Sequence, residues 1–238
     1  MTMQLHLFDS MNDLSDYASG AIIREIRQKD NLLLCTATGN STSDTYNKLV
    51  RKKSEFFTEN LKIIKLDEWG GVPAGHPITC ETYLQERLLR PLQIKASNYY
   101  AFNSNPEDPD KECYRIQKIL DANGPIDLCV LGIGVNGHIA LNEPGETLHP
   151  YCHMATLSTS SLNHPMVRET DITPTYGLTL GMADILNSKK ILLLISGKSK
   201  ASVTKELMRK KIDTRLPASF LWLHPDVQCL CDRDACCD

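Results

Sequence analysis

Four short runs of aliphatic residues recur along the chain, and longer amphipathic stretches separate them. A continuous apolar run of about four to eight residues is typical of a strand that is buried on both faces of a sheet. The stretches between the runs have the apolar spacing or the capping residues of helices. The predicted strands are residues 32–36, 61–66, 126–131 and 190–195, and the predicted helices are residues 13–28, 80–90 and 109–122.

The alternation of strands and helices predicts an α/β fold. It favours a doubly wound, mostly parallel sheet with helices on both faces, which is a Rossmann-like arrangement. The third predicted helix has clear ends, because Asp108 can cap its start, Pro109 suits its first position and Gly124 follows it. No repeat, low-complexity stretch or linker divides the 238 residues. A single domain over residues 1–238 is therefore expected.

Charge and hydropathy exclude two classes of partner. The formal net charge is −3, so no global basic field attracts nucleic acid or an acidic membrane surface. No run approaches the roughly 18 apolar residues that cross a bilayer, and the N-terminus lacks the pattern of a secretory signal. A cytoplasmic protein is expected.

The cysteines favour the same compartment. Nine is an odd number, and Cys35 and Cys129 lie inside apolar runs, which is typical of reduced, buried thiols rather than a disulfide framework. The last four cysteines do not have the spacing of paired C-x-x-C knuckles, so ordinary strand and tail cysteines are favoured over a structural zinc site. These four are Cys229, Cys231, Cys236 and Cys237.

Residues that can carry chemistry follow each of the four predicted strands. Since ligands of parallel α/β sheets bind beyond the carboxyl ends of the strands, these segments are expected to meet at one rim. They contain glycines, hydroxyls, acids, a histidine and lysines, and they span residues 37–42, 67–71, 132–138 and 196–200.

The segment after the first strand has the composition of a phosphate-binding turn. Glycine and hydroxyl residues at the start of a helix offer backbone N–H groups to an anion, although a simple capped turn has the same residues. Lys200, which starts a second helix, can supply a cation to the same anion. The residues of the first segment are Thr38, Gly39, Asn40, Ser41 and Thr42.

Residues 132–137 match the G-x-G-x-x-G pattern of dinucleotide-binding folds. That pattern requires a helix after its last glycine, and Pro144, Gly145 and Pro150 leave little room for one. A nicotinamide site is therefore rejected, and the turn is interpreted as one that positions the side chain of His138.

Two side chains at the predicted rim are suited to proton transfer. His138, with Asn136 before it and Glu143 after it, can move protons near neutral pH. Asp67, next to Glu68 at the end of a buried strand, can act as a carboxylate base, whereas a surface acid pair is the alternative. Residues 70–79 have the composition of a mobile loop or lid, in which His76 is expected to be incidental.

Two longer segments resemble a known enzyme family. Residues 66–69 (LDEW) and 132–145 (GIGVNGHIALNEPG) are similar to the signature of glucosamine-6-phosphate deaminases. Those enzymes are grouped with galactosamine-6-phosphate isomerases and, more distantly, with 6-phosphogluconolactonases. The similarity extends over nearly the whole chain. Residues 79–84 (TCETYL) and 217–224 (PASFLWLH) look closest to the galactosamine-type branch.

The resemblance implies roles for residues already selected. His138, assisted by Glu143, would open the pyranose ring, and Asp67 would move a proton from C2 to C1. Loss of ammonia from C2 would then leave a ketohexose 6-phosphate. The family implies no metal, nucleotide or redox cofactor.

The resemblance also implies how the phosphate is held. Residues 38–42 and Lys200 would bind it, with Arg168 as a further contact. Many family members have aspartate where this chain has Asn136, which can orient the imidazole by a hydrogen bond but adds no charge. The chain also has Thr42 where proline is common.

Several functions stay open. Galactosamine 6-phosphate, giving tagatose 6-phosphate and ammonia, is favoured over glucosamine 6-phosphate, giving fructose 6-phosphate and ammonia. A 6-phosphogluconolactonase-like hydrolase would not need an enolising base at Asp67. A non-catalytic sugar-phosphate sensor would normally carry a DNA-binding segment, and none precedes the first predicted strand. The expected partner is a small-molecule sugar phosphate, and both a monomer and a homo-oligomer are open.

Overall fold

The protein is described by a computed structural model over residues 3–168 and 170–236. Its strands are β1 (Gln4–Phe8), β2 (Leu33–Thr36), β3 (Lys62–Lys65), β4 (Asp67–Gly70), β5 (Tyr99–Tyr100), β6 (Leu128–Leu131), β7 (His153–Ala155), β8 (Tyr176–Thr179), β9 (Lys190–Ile195) and β10 (Val227–Asp232). Seven strands form a parallel sheet in the order β1-β10-β9-β6-β2-β3-β5. A second, antiparallel sheet has the order β4-β8-β7.

The helices are α1 (Met11–Gln28), α2 (Asn40–Arg51), α3 (Cys80–Leu84), α4 (Arg90–Leu92), α5 (Pro109–Asn123), α6 (Thr159–Leu162), α7 (Pro165–Arg168), α8 (Met182–Leu186) and α9 (Ala201–Leu207). The helix predicted at 80–90 is present, but a π-helical turn over Gln85–Leu89 joins α3 to α4. The predicted start of α5 is confirmed, because the side chain of Asp108 accepts hydrogen bonds from the N–H groups of Asp110 and Lys111.

Alternate residues of the central strands pack on opposite sides of the large sheet. In β9, Ile191 and Leu193 belong to one apolar cluster, and Leu192 and Leu194 belong to the other. Helix α5 contributes to the first cluster and helix α1 to the second. Burial on both faces explains the continuous apolar runs of the sequence. The doubly wound α/β fold, with a mostly parallel sheet, is confirmed.

The short strands were not predicted, and neither were the parallel strands β1 and β10. Strand β4 begins directly after β3, so the chain passes from the parallel sheet into the antiparallel one at Leu66. Asp67 is consequently the first residue of a strand and not part of a loop. The expected lid over residues 70–79 is anchored, because Val72 and Ile78 are buried in a third apolar cluster with Trp69. Its motion stays a prediction.

The expectation of reduced thiols is wrong for one pair. Cys231 is disulfide-bonded to Cys236, because the chain turns at Asp232, whose carbonyl accepts a hydrogen bond from the N–H of Cys236. This turn brings the two Cα atoms to 6.5 Å. Cys237 lies outside the described residues. The described cysteines with free thiols are Cys35, Cys80, Cys113, Cys129, Cys152 and Cys229.

No described helix combines the length and the apolar character needed to cross a membrane.

Candidate active site

A cavity of about 350 Å³ lies beyond the carboxyl ends of β2, β3, β6 and β9. The segments that follow these four strands all contribute to its wall, so the prediction of a shared rim is confirmed. The roles of the individual residues stay predictions. The predicted site residues that line the cavity are Thr38, Gly39, Asn40, Ser41, Thr42, Asp67, His138 and Lys200.

Asp67 lies at the junction of β3 and β4 and is partly exposed. Burial, followed by the nearby charge of Glu68, raises the pKa of its carboxyl group to about 7, against the opposing effects of Lys65 and of a hydrogen bond from Cys80. The Cys80 Sγ lies 3.9 Å from Asp67 Oδ1. A carboxylate whose pKa is near the working pH is suited to act as a general base.

Glu68 has a different position from its neighbour. It is fully buried, and its Oε2 lies 2.6 Å from Lys65 Nζ in a pair that is closed to solvent. Its carboxylate also accepts hydrogen bonds from the N–H groups of Trp69 and Cys80, both at 2.8 Å, and of Glu81, at 2.9 Å. Glu68 therefore joins β4 to the start of α3. The alternative of a surface acid pair is wrong, because Glu68 is buried and Asp67 is only partly exposed, in the cavity wall.

The glycine-rich turn after β6 supports the ring of His138. A Cβ on Gly134 would lie only 2.5 Å from His138 Cε1, so only glycine leaves room for the imidazole. His138 Nδ1 lies 3.4 Å from Glu143 Oε2. Among the described residues, no hydrogen-bond partner is found for Nε2, which leaves this nitrogen for a ligand.

Glu143 is held from several sides. Its carboxylate accepts hydrogen bonds from Asn136 Nδ2 at 3.0 Å, from the N–H of Ser158 at 3.3 Å, and from the Ser161 hydroxyl. Burial alone would raise the pKa of Glu143, but the hydrogen bond and charge of His138, with Ser161 and Asn136, lower it to about 2. Glu143 therefore remains ionised at neutral pH and can stabilise a protonated imidazole.

Asn136 acts differently from the expectation. Its Oδ1 accepts a hydrogen bond from the backbone N–H of His138 at 3.3 Å, and its Nδ2 donates to Glu143. The imidazole itself is contacted by Glu143 and by Ser161, whose Oγ lies 3.4 Å from Nδ1. Asn136 thus orients the ring through its neighbours and not by a direct hydrogen bond.

The phosphate-binding segment forms the start of α2. Gly39 has φ +118°, a conformation that favours glycine, and the first turn of the helix follows it. Two hydroxyl groups of this segment already make hydrogen bonds within the protein. Thr38 Oγ1 donates to Cys80 Sγ at 3.2 Å, and Thr42 Oγ1 donates to the Gly39 carbonyl at 3.1 Å. The helix N-terminus itself remains available for an anion.

Lys200 and Arg168 have different surroundings. Lys200 lines the cavity. Its Nζ donates a hydrogen bond to the carbonyl of Ile133, in the segment after β6, at 2.6 Å. Burial lowers the pKa of its ammonium group. Arg168 is exposed at the end of α7 and is not part of the cavity wall. Pro165 of the same helix does line the cavity, and the phosphate contact of Arg168 stays a prediction.

Among the residues of this site that sequence reasoning did not select are Cys80, Ser161 and His164. Cys80 contacts Asp67, Ser161 contacts His138, and His164 lines the cavity. The run of hydroxyl residues at 158–161 is the one signal that could have indicated Ser161.

The residues after Gly137 do not form the helix that a dinucleotide site requires, because turns and single bridges follow. Within residues 3–168 and 170–236, no group of three or more His, Cys, Asp or Glu side chains could hold a metal ion.

The pKa of Asp67 predicts how activity depends on pH. A base must be deprotonated, so kcat/KM should rise with pH up to about 7 and fall about tenfold for each pH unit below it. The measurement is kcat/KM between pH 5 and pH 9, in steps of about half a unit.

Cys80→Ala tests which group causes the acidic limb of the profile, which is the fall of kcat/KM at low pH. The Cys80 thiol lowers the pKa of Asp67, so its removal should move the acidic limb to higher pH. A limb that stays in place would mean that another group titrates.

The doubly wound fold and this rim form an arrangement that is suited to an enzyme with general acid–base chemistry. The chain belongs to the family described as glucosamine-6-phosphate isomerases/6-phosphogluconolactonase, which matches residues 9–229. The resemblance inferred from the sequence is thereby confirmed.

The relatives agree with this assignment. The chain is 40% identical over 228 residues to an Escherichia coli (strain K12) protein provisionally named deaminase AgaI. This alignment covers 95% of the chain and 90% of the relative. It is 37% identical to a glucosamine-6-phosphate deaminase of Bacillus pumilus (strain SAFR-032), over 98% of each chain. A solved monomeric glucosamine-6-phosphate deaminase of the NagB superfamily aligns with a TM-score of 0.92 and 34% identity, over 98% of each chain.

Proposed function

We propose that this protein converts galactosamine 6-phosphate and water to tagatose 6-phosphate and ammonia. The coarser activity, isomerisation and deamination of an amino-sugar 6-phosphate, rests on family membership. The observation that best supports this general activity is that Asp67 and His138 line one cavity together with Lys200 and the start of α2.

The proposed reaction begins with opening of the sugar ring. His138 takes the proton of the C1 hydroxyl and delivers a proton to the ring oxygen, so that the C1–O5 bond breaks and an aldehyde forms. The ionised Glu143 stabilises the imidazolium that exists between these two transfers. Positioning by Ser161 keeps Nδ1 toward Glu143 and leaves Nε2 for the sugar.

The second part transfers a proton between carbons. Asp67 removes the C2 proton while the substrate's ammonium group gives a proton to O1, which forms an enolamine, and Asp67 then returns its proton to C1. The C2 carbon is then a protonated imine, which water hydrolyses to a ketone with release of ammonia. Each positioned acid or base contributes about 10²–10⁴-fold to such a reaction.

The choice of galactosamine rests on the similarity of residues 79–84 and 217–224 to the galactosamine-type branch. The first of these segments reaches the base, because Cys80 Sγ lies 3.9 Å from Asp67 Oδ1. The relative at 40% identity is named a deaminase without a sugar, while the relative at 37% identity is named for glucosamine 6-phosphate.

Ammonia release from each amino-sugar 6-phosphate tests this choice. The two sugars differ in one hydroxyl orientation at C4, so a site that hydrogen-bonds this group should discriminate about tenfold or more in kcat/KM. Equal rates would remove the preference, and a glucosamine preference would reverse it. Hydrolysis of 6-phosphogluconolactone without ammonia release from either sugar would favour the lactonase instead. A cytoplasmic location stays a prediction.

Lys200→Ala should raise KM by about 10–100-fold and leave kcat nearly unchanged, because a charge-assisted hydrogen bond to the phosphate is made in both the ground state and the transition state. Steady-state ammonia release measures both constants. Lys198→Ala is the matched control, since Lys198 is exposed in the same turn and does not line the cavity. A loss confined to kcat would contradict the assignment of Lys200.

A further inference from the structure

His164 is held against the phosphate-binding segment. It lies directly before α7 and lines the cavity. Its Nε2 is 3.7 Å from the position that a Cβ on Gly39 would occupy. No atom outside Gly39 and its two neighbours in the sequence lies closer to that position. Its ring also contacts the indole of Trp69, with centroids 6.0 Å apart. The imidazole is therefore placed beside the N-terminus of α2.

The hydrogen bonding of the ring determines where its proton lies. The backbone N–H of Met166 donates to His164 Nδ1 at 3.3 Å. A ring nitrogen that accepts a hydrogen bond carries no proton, so the neutral imidazole has its N–H at Nε2. Over residues 3–168 and 170–236, this Nε2–H has no protein acceptor. A half-buried donor of this kind is satisfied by water or by a ligand.

The charge state of His164 agrees with a donor and not a cation. Burial, followed by the charges of Lys200 and His138, lowers the pKa of its imidazole to about 4. Near neutral pH the ring is therefore uncharged. A second cation beside Lys200 would be unfavourable, whereas a neutral N–H is compatible with that lysine.

The rim presents three anion-binding elements together: the N-terminus of α2, the Lys200 ammonium and the His164 Nε2–H. We propose that His164 donates a hydrogen bond from Nε2 to the phosphate of the bound sugar and contributes to binding in the ground state. This inference rests on the proposed function, because it takes the bound anion to be the substrate's phosphate monoester. The nearness of Nε2 to Gly39 favours the phosphate over the sugar hydroxyls, since Gly39 directly precedes α2.

Two amide substitutions separate the nitrogens of the ring. In His164→Asn, the side-chain carbonyl can still accept from the N–H of Met166, but no donor reaches the position of Nε2. In His164→Gln, the amide N–H reaches that position. The measurements are KM and kcat for ammonia release, and the inhibition constant of inorganic phosphate as a competitor of the sugar phosphate.

His164→Asn should raise both KM and the inhibition constant of phosphate by roughly 10–100-fold, with kcat changed less than about threefold. His164→Gln should recover most of this loss. His153→Asn, a histidine of β7 away from the cavity wall, should match the wild type. If His164→Asn does not fold, His164→Phe keeps a ring against Trp69 without a donor and should give the same rise.

The outcomes separate this inference from the proposed function. A wild-type protein that releases no ammonia from either sugar would contradict the proposed function, whatever His164 does. An active wild type with unchanged KM and unchanged phosphate inhibition in His164→Asn would overturn the role of His164. A fall confined to kcat would overturn it as well, since a ground-state phosphate contact would not produce that result.

Discussion

Replacing Asp67 by asparagine should lower kcat by about 10²–10⁴-fold while the sugar phosphate still binds within a few-fold of its wild-type affinity. Asparagine has nearly the same shape but cannot accept a proton from C2. The phosphate is held at the other elements of the rim, by the start of α2 and Lys200, so binding should not depend on this carboxylate.

Exchange of the C2 proton with solvent deuterium tests the step directly. It should fall in parallel with kcat in Asp67→Asn, as followed by NMR in deuterated water. Asp184→Asn is the matched control, because Asp184 also has a raised pKa but accepts a hydrogen bond from the N–H of Gly181 at the start of α8. Wild-type exchange in Asp67→Asn would show that a different group is the base.

Replacing His138 by glutamine should lower kcat by about 10²-fold, less than the loss at Asp67. Glutamine can hydrogen-bond to the ring oxygen but cannot shuttle a proton near neutral pH. The effect is limited because sugars open slowly in solution without a catalyst, so a small supply of aldehyde bypasses the missing group. Steady-state ammonia release gives the rate.

An amino-sugar alcohol 6-phosphate, which has no ring to open, identifies the affected step. Its affinity for His138→Gln should stay within a few-fold of the wild-type value, because only ring opening needs the imidazole. His149→Gln replaces an exposed histidine outside the cavity wall and should leave the rate unchanged. Strongly weakened binding of the alcohol would assign His138 to substrate binding instead.

Strands β2, β3, β6 and β9 of the parallel sheet could be predicted because they are buried on both faces. Burial of this kind requires continuous apolar residues, and β9 coincides with its prediction at both ends. The short strands β4, β7 and β8 carry no such run, and β5 has only two residues. Their pairing depends on partners that are distant in the sequence, and their own composition therefore does not indicate a strand.

The disulfide and the role of Asn136 show a similar limit. Cys231 and Cys236 pair because of a turn at Asp232, which the spacing of the cysteines alone does not reveal. Asn136 was correctly placed beside His138, but its hydrogen bonds go to Glu143 and to the main chain. The direction of a side chain is set by packing and not by its distance along the sequence.

A mostly parallel sheet, with Asp67, His138 and Lys200 at its rim, could be inferred from the amino-acid pattern, because each residue follows a buried strand and the topology brings strand ends together. Packing in three dimensions was needed to reveal that Cys80 contacts Asp67, that Ser161 contacts His138, and that His164 lies beside Gly39. These residues come from segments that do not follow the central strands. Their contacts, and the raised pKa of Asp67, arise from side chains that meet only when the two sheets and the short helices have packed.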